Sequence, residues 1–162
     1  MLGIQTQADK QAAGDRLGQS SITDAAGFLL AKLHAAGSVL TNRALADFGL
    51  KERSYSVLVL ANSGLEPTQR ELADFLSLDP SQIVALVDDL EKRGLVERAA
   101  GKRDRRAKTV TATAAGAKLH ARASKAARHA EAEALNGLET AEVATLKTLL
   151  RKALWSYPPQ DD

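Results

Sequence analysis

The chain has 162 residues and a formal net charge of +2, and its composition (44% hydrophobic, 4% aromatic, rich in alanine and leucine) predicts one domain with a helical core. It contains no cysteine, which excludes disulfides, thiolate zinc sites and cysteine redox switches. Its apolar runs are too short to span a membrane and no apolar signal region follows the start, so a cytoplasmic protein without membrane contact is expected.

The first part of the chain predicts an arm followed by two helices. Residues 1–20 show no periodicity and are interpreted as a flexible N-terminal arm. A long helix is expected from Ser21, because Ser21 and Asp24 have capping-box spacing and an apolar stripe with the helical period follows. Gly49 is suited to a left-handed cap at its end. A second, more apolar helix is predicted at about residues 52–62.

Two helix start signals then follow in close succession. Thr68 and Glu71 have the spacing of a reciprocal capping pair, and Asp79 and Pro80 suit the N-cap and first position of another helix, which ends near Gly94. The residues predicted to face the core are Leu72, Phe75, Leu76, Ile83, Leu86, Val87 and Leu90. Two short helices joined by so short a turn predict a helix-turn-helix.

After Gly94 the pattern changes from helical to alternating. Residues 95–98 and 107–113 are predicted to form a β-hairpin with a charged turn between its strands. Residues 92–108 hold eight basic residues against two acidic ones, a local charge of +6 that leaves −4 for the rest of the chain. Such a patch is typical of a polyanion-binding surface, although a solvated charged loop has the same composition.

The C-terminal part predicts two further helices. Thr113 is expected to cap an alanine-rich helix that reaches about Leu135, and the last helix runs from about Thr140 to Trp155. Their apolar stripes exceed what one small winged domain can cover, so a homodimer is predicted. The predicted fold is mainly α with a small β-wing, and residues 21–157 form a single domain. Within it, a winged helix-turn-helix (about 52–113) is flanked by N- and C-terminal dimerisation helices (about 21–48 and 114–157).

Several of these segments resemble the MarR family of bacterial transcriptional regulators. The similar segments are residues 68–73, 79–81, 86–96, 104–108 and 113–116. The resemblance implies a bacterial, nucleoid-associated regulator, a repressor, that binds a pseudo-palindromic operator in double-stranded DNA as a homodimer. It often implies release by a small-molecule effector. No cofactor and no enzymatic activity are expected, since neither a nucleophile elbow nor a Gly-rich phosphate loop is present.

The residues predicted to contact DNA come from both helices of the motif and from the wing. They are Thr68, Gln69, Pro80, Ser81, Gln82, Val84, Ala85, Lys102, Arg103, Asp104, Arg105 and Arg106. Arg106 is expected to enter the minor groove. Asp104, by the resemblance, would orient the wing, unless it is an ordinary turn residue. Ser81 and Gln82 lie where base edges are reached, although Gln82 could instead complete the cap at Asp79.

Two features of the sequence concern specificity and ligands. Val84 and Ala85 stand where the family often has threonine and arginine, and since apolar side chains can contact thymine methyl groups, an A·T-rich operator is predicted; the alternative is weak specificity. His34, Ser38 and Tyr55 are candidate pocket residues for a small aromatic or amphipathic effector. A histidine or tyrosine in an apolar neighbourhood is, however, more often a core residue.

Two rival functions fit the sequence less well. A metal-responsive regulator would need histidine ligands, but the chain has only His34, His120 and His129, and the last two lie on opposite faces of a helix, so no metal site is predicted. A winged helix used as a protein-interaction adaptor is disfavoured by the concentrated positive charge at the wing tip.

Overall fold

The computed structural model describes residues 7–101 and 108–156, and from α2 onward their elements follow the predicted order. The helices are α1 (Gln7–Leu17), α2 (Ala26–Leu45), α3 (Glu52–Ala61), α4 (Gln69–Leu76), α5 (Pro80–Lys92), α6 (Ala114–Ala134) and α7 (Thr140–Trp155). The strands β1 (Val96–Ala100) and β2 (Lys108–Ala112) pair antiparallel, with Val96 opposite Ala112. The mainly helical fold with a small β-wing is thereby confirmed. The chain divides into two compact units, Met1–Val39 and Leu40–Asp162, here called the first and second units.

The first unit differs from the prediction at two places. Helix α1 lies where an arm without regular structure was expected; its alanine, glutamine and lysine residues favour a helix by propensity, although they form no apolar stripe. Residues Ser21–Asp24 form a 3₁₀ turn and do not begin a long helix. Ala25 is extended, with φ −85° and ψ 115°, so α2 begins only at Ala26. The capping pair predicted at Ser21 was therefore wrong.

The second unit contains a single apolar core under the helix-turn-helix. Its fully buried large side chains are Leu45, Leu50, Val57, Leu58, Leu72, Ile83, Val87, Leu90, Val96 and Val110. They come from the last residue of α2, from α3, α4, α5 and both strands, and from Leu50. Leu50 follows Gly49, which closes a 3₁₀ turn (Ala46–Phe48) with φ +62°. The predicted left-handed cap at Gly49 is confirmed.

Local capping interactions fix both helices of the motif. Thr68 Oγ1 accepts from the Glu71 N–H at 3.2 Å, and the Glu71 carboxylate accepts from the Thr68 N–H at 2.7 Å. Asp79 caps α5, and only residues 77–79 separate the two helices. The reciprocal capping pair and the helix-turn-helix predicted from the sequence are both confirmed.

Phe75 is an exception to the predicted core. Its side chain is 64% exposed, and it lines an open apolar groove with Leu60 and Leu65. The core face of α4 is formed by Leu72, Ala73 and Leu76, and Phe75 lies about 100° around the helix from the centre of that face. The prediction that Phe75 is buried was wrong because the apolar face of α4 includes the small residue Ala73 instead.

Hydrogen bonds join the hairpin to the helices on both sides. The Val110 N–H donates to the Pro67 carbonyl at 2.8 Å, so the segment before α4 lies against β2. At the other end of β2, Thr113 Oγ1 donates to the Gly94 carbonyl at 2.6 Å and accepts from the Gly116 N–H at 3.1 Å. Thr113 therefore caps α6 and also ties it to the end of α5.

Replacing Thr113 with alanine is expected to lower the free energy of unfolding by about 1–2 kcal/mol, because both hydroxyl interactions are lost. Urea unfolding followed by circular dichroism measures the change. Thr113→Ser keeps the hydroxyl and is expected to remain close to wild type. Equal unfolding midpoints for the two variants would show that the cap contributes nothing.

The last two helices contribute little to this core. In α6, Ala123 and Ala130 are buried, and Lys147 of α7 donates to the Glu131 carboxylate of α6 at 3.0 Å. No described residue of α7 is buried. Its exposed large apolar side chains are Leu149, Leu154 and Trp155. Helix α7 thus presents apolar surface in the single chain.

Candidate nucleic-acid interface

Helix α5 has one face in the core and one face exposed. Ile83, Val87 and Leu90 are fully buried. The exposed residues include the sequence-predicted Pro80, Ser81, Gln82, Val84 and Ala85. Since the buried face fixes the helix, its N-terminal half projects a narrow surface of small and polar side chains. Such a helix end is the part of a helix-turn-helix that reaches base edges.

The cap of α5 involves Ser81 and not Gln82. The Asp79 carboxylate accepts from the Ser81 N–H at 2.8 Å and from its hydroxyl at 2.6 Å. These hydrogen bonds hold the pKa of Asp79 below its usual range, so the cap is intact at neutral pH and is lost only as the pH falls through that lowered pKa. In the described part of the chain, the reciprocal bond from Gln82 that would complete a capping box is not formed.

Thr68 and Gln69, also predicted to contact DNA, have structural partners. The Thr68 hydroxyl is engaged by Glu71, to which it donates at 2.8 Å. Gln69 Oε1 accepts from Nε of Arg98 at 2.6 Å. Contact of either residue with DNA stays a prediction, but both are already part of the framework that holds α4 in place.

Arg98 joins the wing to both helices of the motif, a role that no local sequence pattern predicts. Besides Gln69 on α4, its guanidinium binds the carboxylates of Asp88 and Glu91 on α5, and its own N–H donates to Glu91 at 3.1 Å. Desolvation opposes the charge, but the two carboxylates outweigh it and raise the pKa of Arg98. The side chain is only 22% exposed. It fixes β1, and with it the wing, against α5.

Replacing Arg98 with alanine is expected to lower the free energy of unfolding by about 1–2 kcal/mol, since hydrogen bonds between charged groups are lost and two carboxylates are left close together. Affinity for duplex DNA should fall as well, because the wing loses its anchor. Urea unfolding and fluorescence anisotropy measure the two effects. Arg70→Ala serves as control, because it also removes an arginine from the helix-turn-helix, but the Arg70 side chain is 92% exposed and its ion pair with Asp74 is long, at 4.0 Å. An Arg98 variant that behaves like the Arg70 variant would contradict this role.

The tip of the wing lies outside the described residues. This concerns the predicted contacts Lys102, Arg103, Asp104, Arg105 and Arg106. Pairing of β1 with β2 extends to Ala100 opposite Lys108, so residues 101–107 connect the paired ends. The hairpin itself is confirmed, and the roles of the five tip residues stay predictions.

The candidate effector residues are divided between the two units. His34 is exposed and Ser38 half-buried on the part of α2 in the first unit. In the second unit, half-buried Tyr55 stacks on His120 with ring centroids 6.2 Å apart, and Asn62 Nδ2 lies 3.1 Å from His120 Nδ1. Burial raises the pKa of Tyr55, an effect that the charge of Arg128 partly opposes. His120 and Asn62 were missed as candidates because no local pattern links α3 to α6.

Neither metal sites nor membrane spans are found within residues 7–101 and 108–156. There, no group of three or more histidine, aspartate or glutamate side chains is arranged to hold a metal ion. No helix among these residues is both long and apolar enough to cross a membrane.

Comparison with known proteins gives a consistent family relationship. A family model described as MarR family matches residues 48–107, which include α3, the helix-turn-helix and the wing. A MarR-family transcriptional regulator from Rhodococcus sp. RHA1 superposes with a TM-score of 0.77 and 38% identity, over 86% of this chain and 99% of its own. The chain belongs to the MarR family. It is therefore a transcriptional regulator with a winged helix that binds DNA.

Two other solved structures are similar over most of their length. CouR from Rhodococcus jostii RHA1, solved with p-coumaroyl-CoA bound, has a TM-score of 0.76 and 38% identity, over 89% of this chain and 99% of its own. Apo MarR from E. coli has a TM-score of 0.70 and 27% identity, over 80% of this chain and 97% of its own. A search of curated protein sequences gave no match. The family indicated by these comparisons is one of DNA-binding regulators and not of enzymes.

Proposed function

We propose that this MarR-family regulator represses transcription by binding a pseudo-palindromic operator as a homodimer and is released by a small effector. The observation that carries the proposal is the exposed N-terminal half of α5 beside a wing that Arg98 fastens to the same helix. A helix held next to a basic hairpin can lie in the major groove while the hairpin reaches phosphates and the minor groove. In this scheme residues 52–113 read DNA.

The exposed surface of α5 favours an A·T-rich operator. Val84 and Ala85 offer methyl groups that can contact the thymine methyl, and Gln82 can form two hydrogen bonds with adenine. The acidic residues of this helix oppose phosphate binding less than their number implies, because Asp88 is paired with Arg98 and Asp89 with Arg93. Sequence preference therefore rests on methyl contacts, Gln82 and the wing.

Dimerisation is supported by the exposed apolar residues outside the winged helix. Leu149, Leu154 and Trp155 on α7 are each more than half exposed in the single chain, as are Ile22 and Val39 in the first unit. Burial of such surfaces stabilises association. A symmetric dimer also places two recognition helices one DNA turn apart, about 34–36 Å, as a pseudo-palindrome requires.

An aromatic effector, carried as a CoA thioester, is the ligand class we favour. CouR, which is 38% identical, was solved with p-coumaroyl-CoA bound. The stacked rings of Tyr55 and His120 present aromatic surface against which a coumaroyl ring could pack, with Asn62 beside them as a polar partner. His34 and Ser38, which belong to the first unit, stay candidate effector residues in their own right.

Sequencing of genomic fragments retained by the purified protein tests the proposal. Retained fragments are expected to fall upstream of a few genes of the encoding organism, and p-coumaroyl-CoA is expected to release them, with free CoA as control. Uniform recovery of fragments across the genome would contradict specific operator binding. Release by neither compound would contradict only the ligand class.

A further inference from the structure

The C-terminal end of α5 is fastened to the segment that follows α2. Arg93, the residue after α5, donates through one guanidinium nitrogen to the Gly49 carbonyl at 2.9 Å and through the other to the Phe48 carbonyl at 3.1 Å. The first nitrogen also lies 3.3 Å from the Asp89 carboxylate. Gly49 leaves room for this contact, because a Cβ there would lie 3.2 Å from the guanidinium. We call this arrangement the Arg93 clamp.

The acceptors of the clamp belong to a well-packed segment of the second unit. Leu45 and Leu50, on either side of Phe48 and Gly49, are buried, and the Leu50 N–H donates to the Leu45 carbonyl at 3.2 Å. The Phe48 ring lies under the guanidinium of Arg122 on α6, 5.5 Å from its centroid. Arg93 therefore connects α5 to the segment Phe48–Gly49, which Arg122 of α6 also contacts.

The position of the N-terminal half of α5 is sensitive to this contact, because a small rotation at one end of a helix displaces its other end. The apolar contacts of its buried face are not directional, whereas a planar guanidinium held by two carbonyls fixes an angle. With 13 residues, α5 is about 20 Å long. A rotation of about 5° at its C-terminal end would shift Ser81 and Gln82 by more than 1 Å, on the order of what breaks hydrogen bonds to base edges.

We propose that Arg93 is a positioning residue for operator recognition: its clamp on the Phe48 and Gly49 carbonyls sets the angle at which α5 presents its N-terminal half to the bases. This rests on the proposed function, namely specific operator binding. Arg93 acts through α5, so its loss should reduce sequence discrimination much more than non-specific attraction to phosphates, which changes only by the effect of one lost cation.

The test compares binding to the best duplex selected by the wild-type dimer with binding to a random duplex. Arg93→Ala is expected to weaken binding to the selected duplex about tenfold, comparable to one lost base contact. Affinity for the random duplex should fall far less than affinity for the selected duplex, by the small effect of removing the cation that pairs with Asp89, and its salt dependence should stay close to the wild-type value. Arg93→Lys, whose ammonium cannot serve both carbonyls in the same planar geometry, is expected to be intermediate. If circular dichroism shows that the alanine variant is unfolded, the two affinities are compared for Arg93→Lys instead.

Lys147→Ala is the matched control, because it also removes one paired cation but lies on α7 outside the winged helix. It should leave the ratio of the two affinities unchanged. The same unchanged ratio in Arg93→Ala would overturn the proposal. So would an equal loss on both duplexes with a salt slope lower by about one, which identifies a phosphate contact. A wild type that binds both duplexes equally would contradict the proposed function itself, and with it any positioning role.

Discussion

Gly116→Ala is expected to destabilise the second unit by about 3 kcal/mol or more, the upper range for overpacking. A Cβ at Gly116 would lie 1.9 Å from the Leu95 carbonyl oxygen, 2.9 Å from its carbon and 3.3 Å from Leu58 Cδ1. Two of these atoms are backbone and cannot rotate away. The Leu95 carbonyl also accepts from the Thr113 N–H at 3.1 Å, so any shift weakens the junction of β1, β2 and α6.

Urea unfolding of Gly116→Ala measures this effect, with Gly27→Ala as the matched control. Gly27 lies within α2, and a Cβ there would meet nothing within 4 Å. Alanine at that position is expected to be neutral or stabilising by up to about 1 kcal/mol, since glycine is a poor helix former. An unfolding midpoint of Gly116→Ala at or above that of wild type would mean that α6 does not pack on Leu95 as described.

Simultaneous replacement of Arg105 and Arg106 with alanine is expected to weaken duplex binding by about 100-fold or more, because two cationic contacts are removed. The two residues belong to the segment that concentrates a charge of +6 within residues 92–108. They lie in the connection between the paired ends of β1 and β2. The slope of log affinity against log salt should fall by about two units, and the dimer should persist in sedimentation equilibrium because neither substitution falls in the proposed dimerisation helices.

A double variant with the same loss of charge controls for net electrostatics. Lys118 and Lys125 are exposed on α6, outside the helix-turn-helix and the wing, and their replacement with alanine should change affinity little. If the Arg105 and Arg106 variant keeps its wild-type affinity for random duplex at moderate salt, the assignment of the wing as a DNA contact is wrong.

Local signals explain why much of the fold could be predicted from the sequence. The Thr68–Glu71 pair, the Asp79-Pro80 start and the Thr113 cap each act within four residues, and each is formed as expected. Prediction was poorer where packing decides. Phe75 has the same hydrophobic character as Leu72, and only the position of α4 on the core leaves its ring exposed.

The candidate site was predictable only in part, for the same reason. The spacing of Ile83, Val87 and Leu90 identifies the buried face of α5 and thereby the exposed positions of Ser81 and Gln82. The interactions that orient this face are long-range. Arg93 meets a carbonyl 44 residues away and Arg98 meets a side chain 29 residues away, and no periodicity in the sequence records such pairs. In the sequence both arginines belong to a basic cluster, whereas in the structure their side chains bind other groups of the same chain.

Selection of bound sequences from a pool of random duplexes tests most directly whether this chain recognises DNA through α5 and the wing. Wild-type protein should enrich an A·T-rich pseudo-palindrome whose half-sites lie about 10 base pairs apart, one turn of the duplex, with two chains bound per site. A pool that stays random after repeated rounds would contradict operator recognition, and a G·C-rich consensus would contradict base reading by Gln82, Val84 and Ala85.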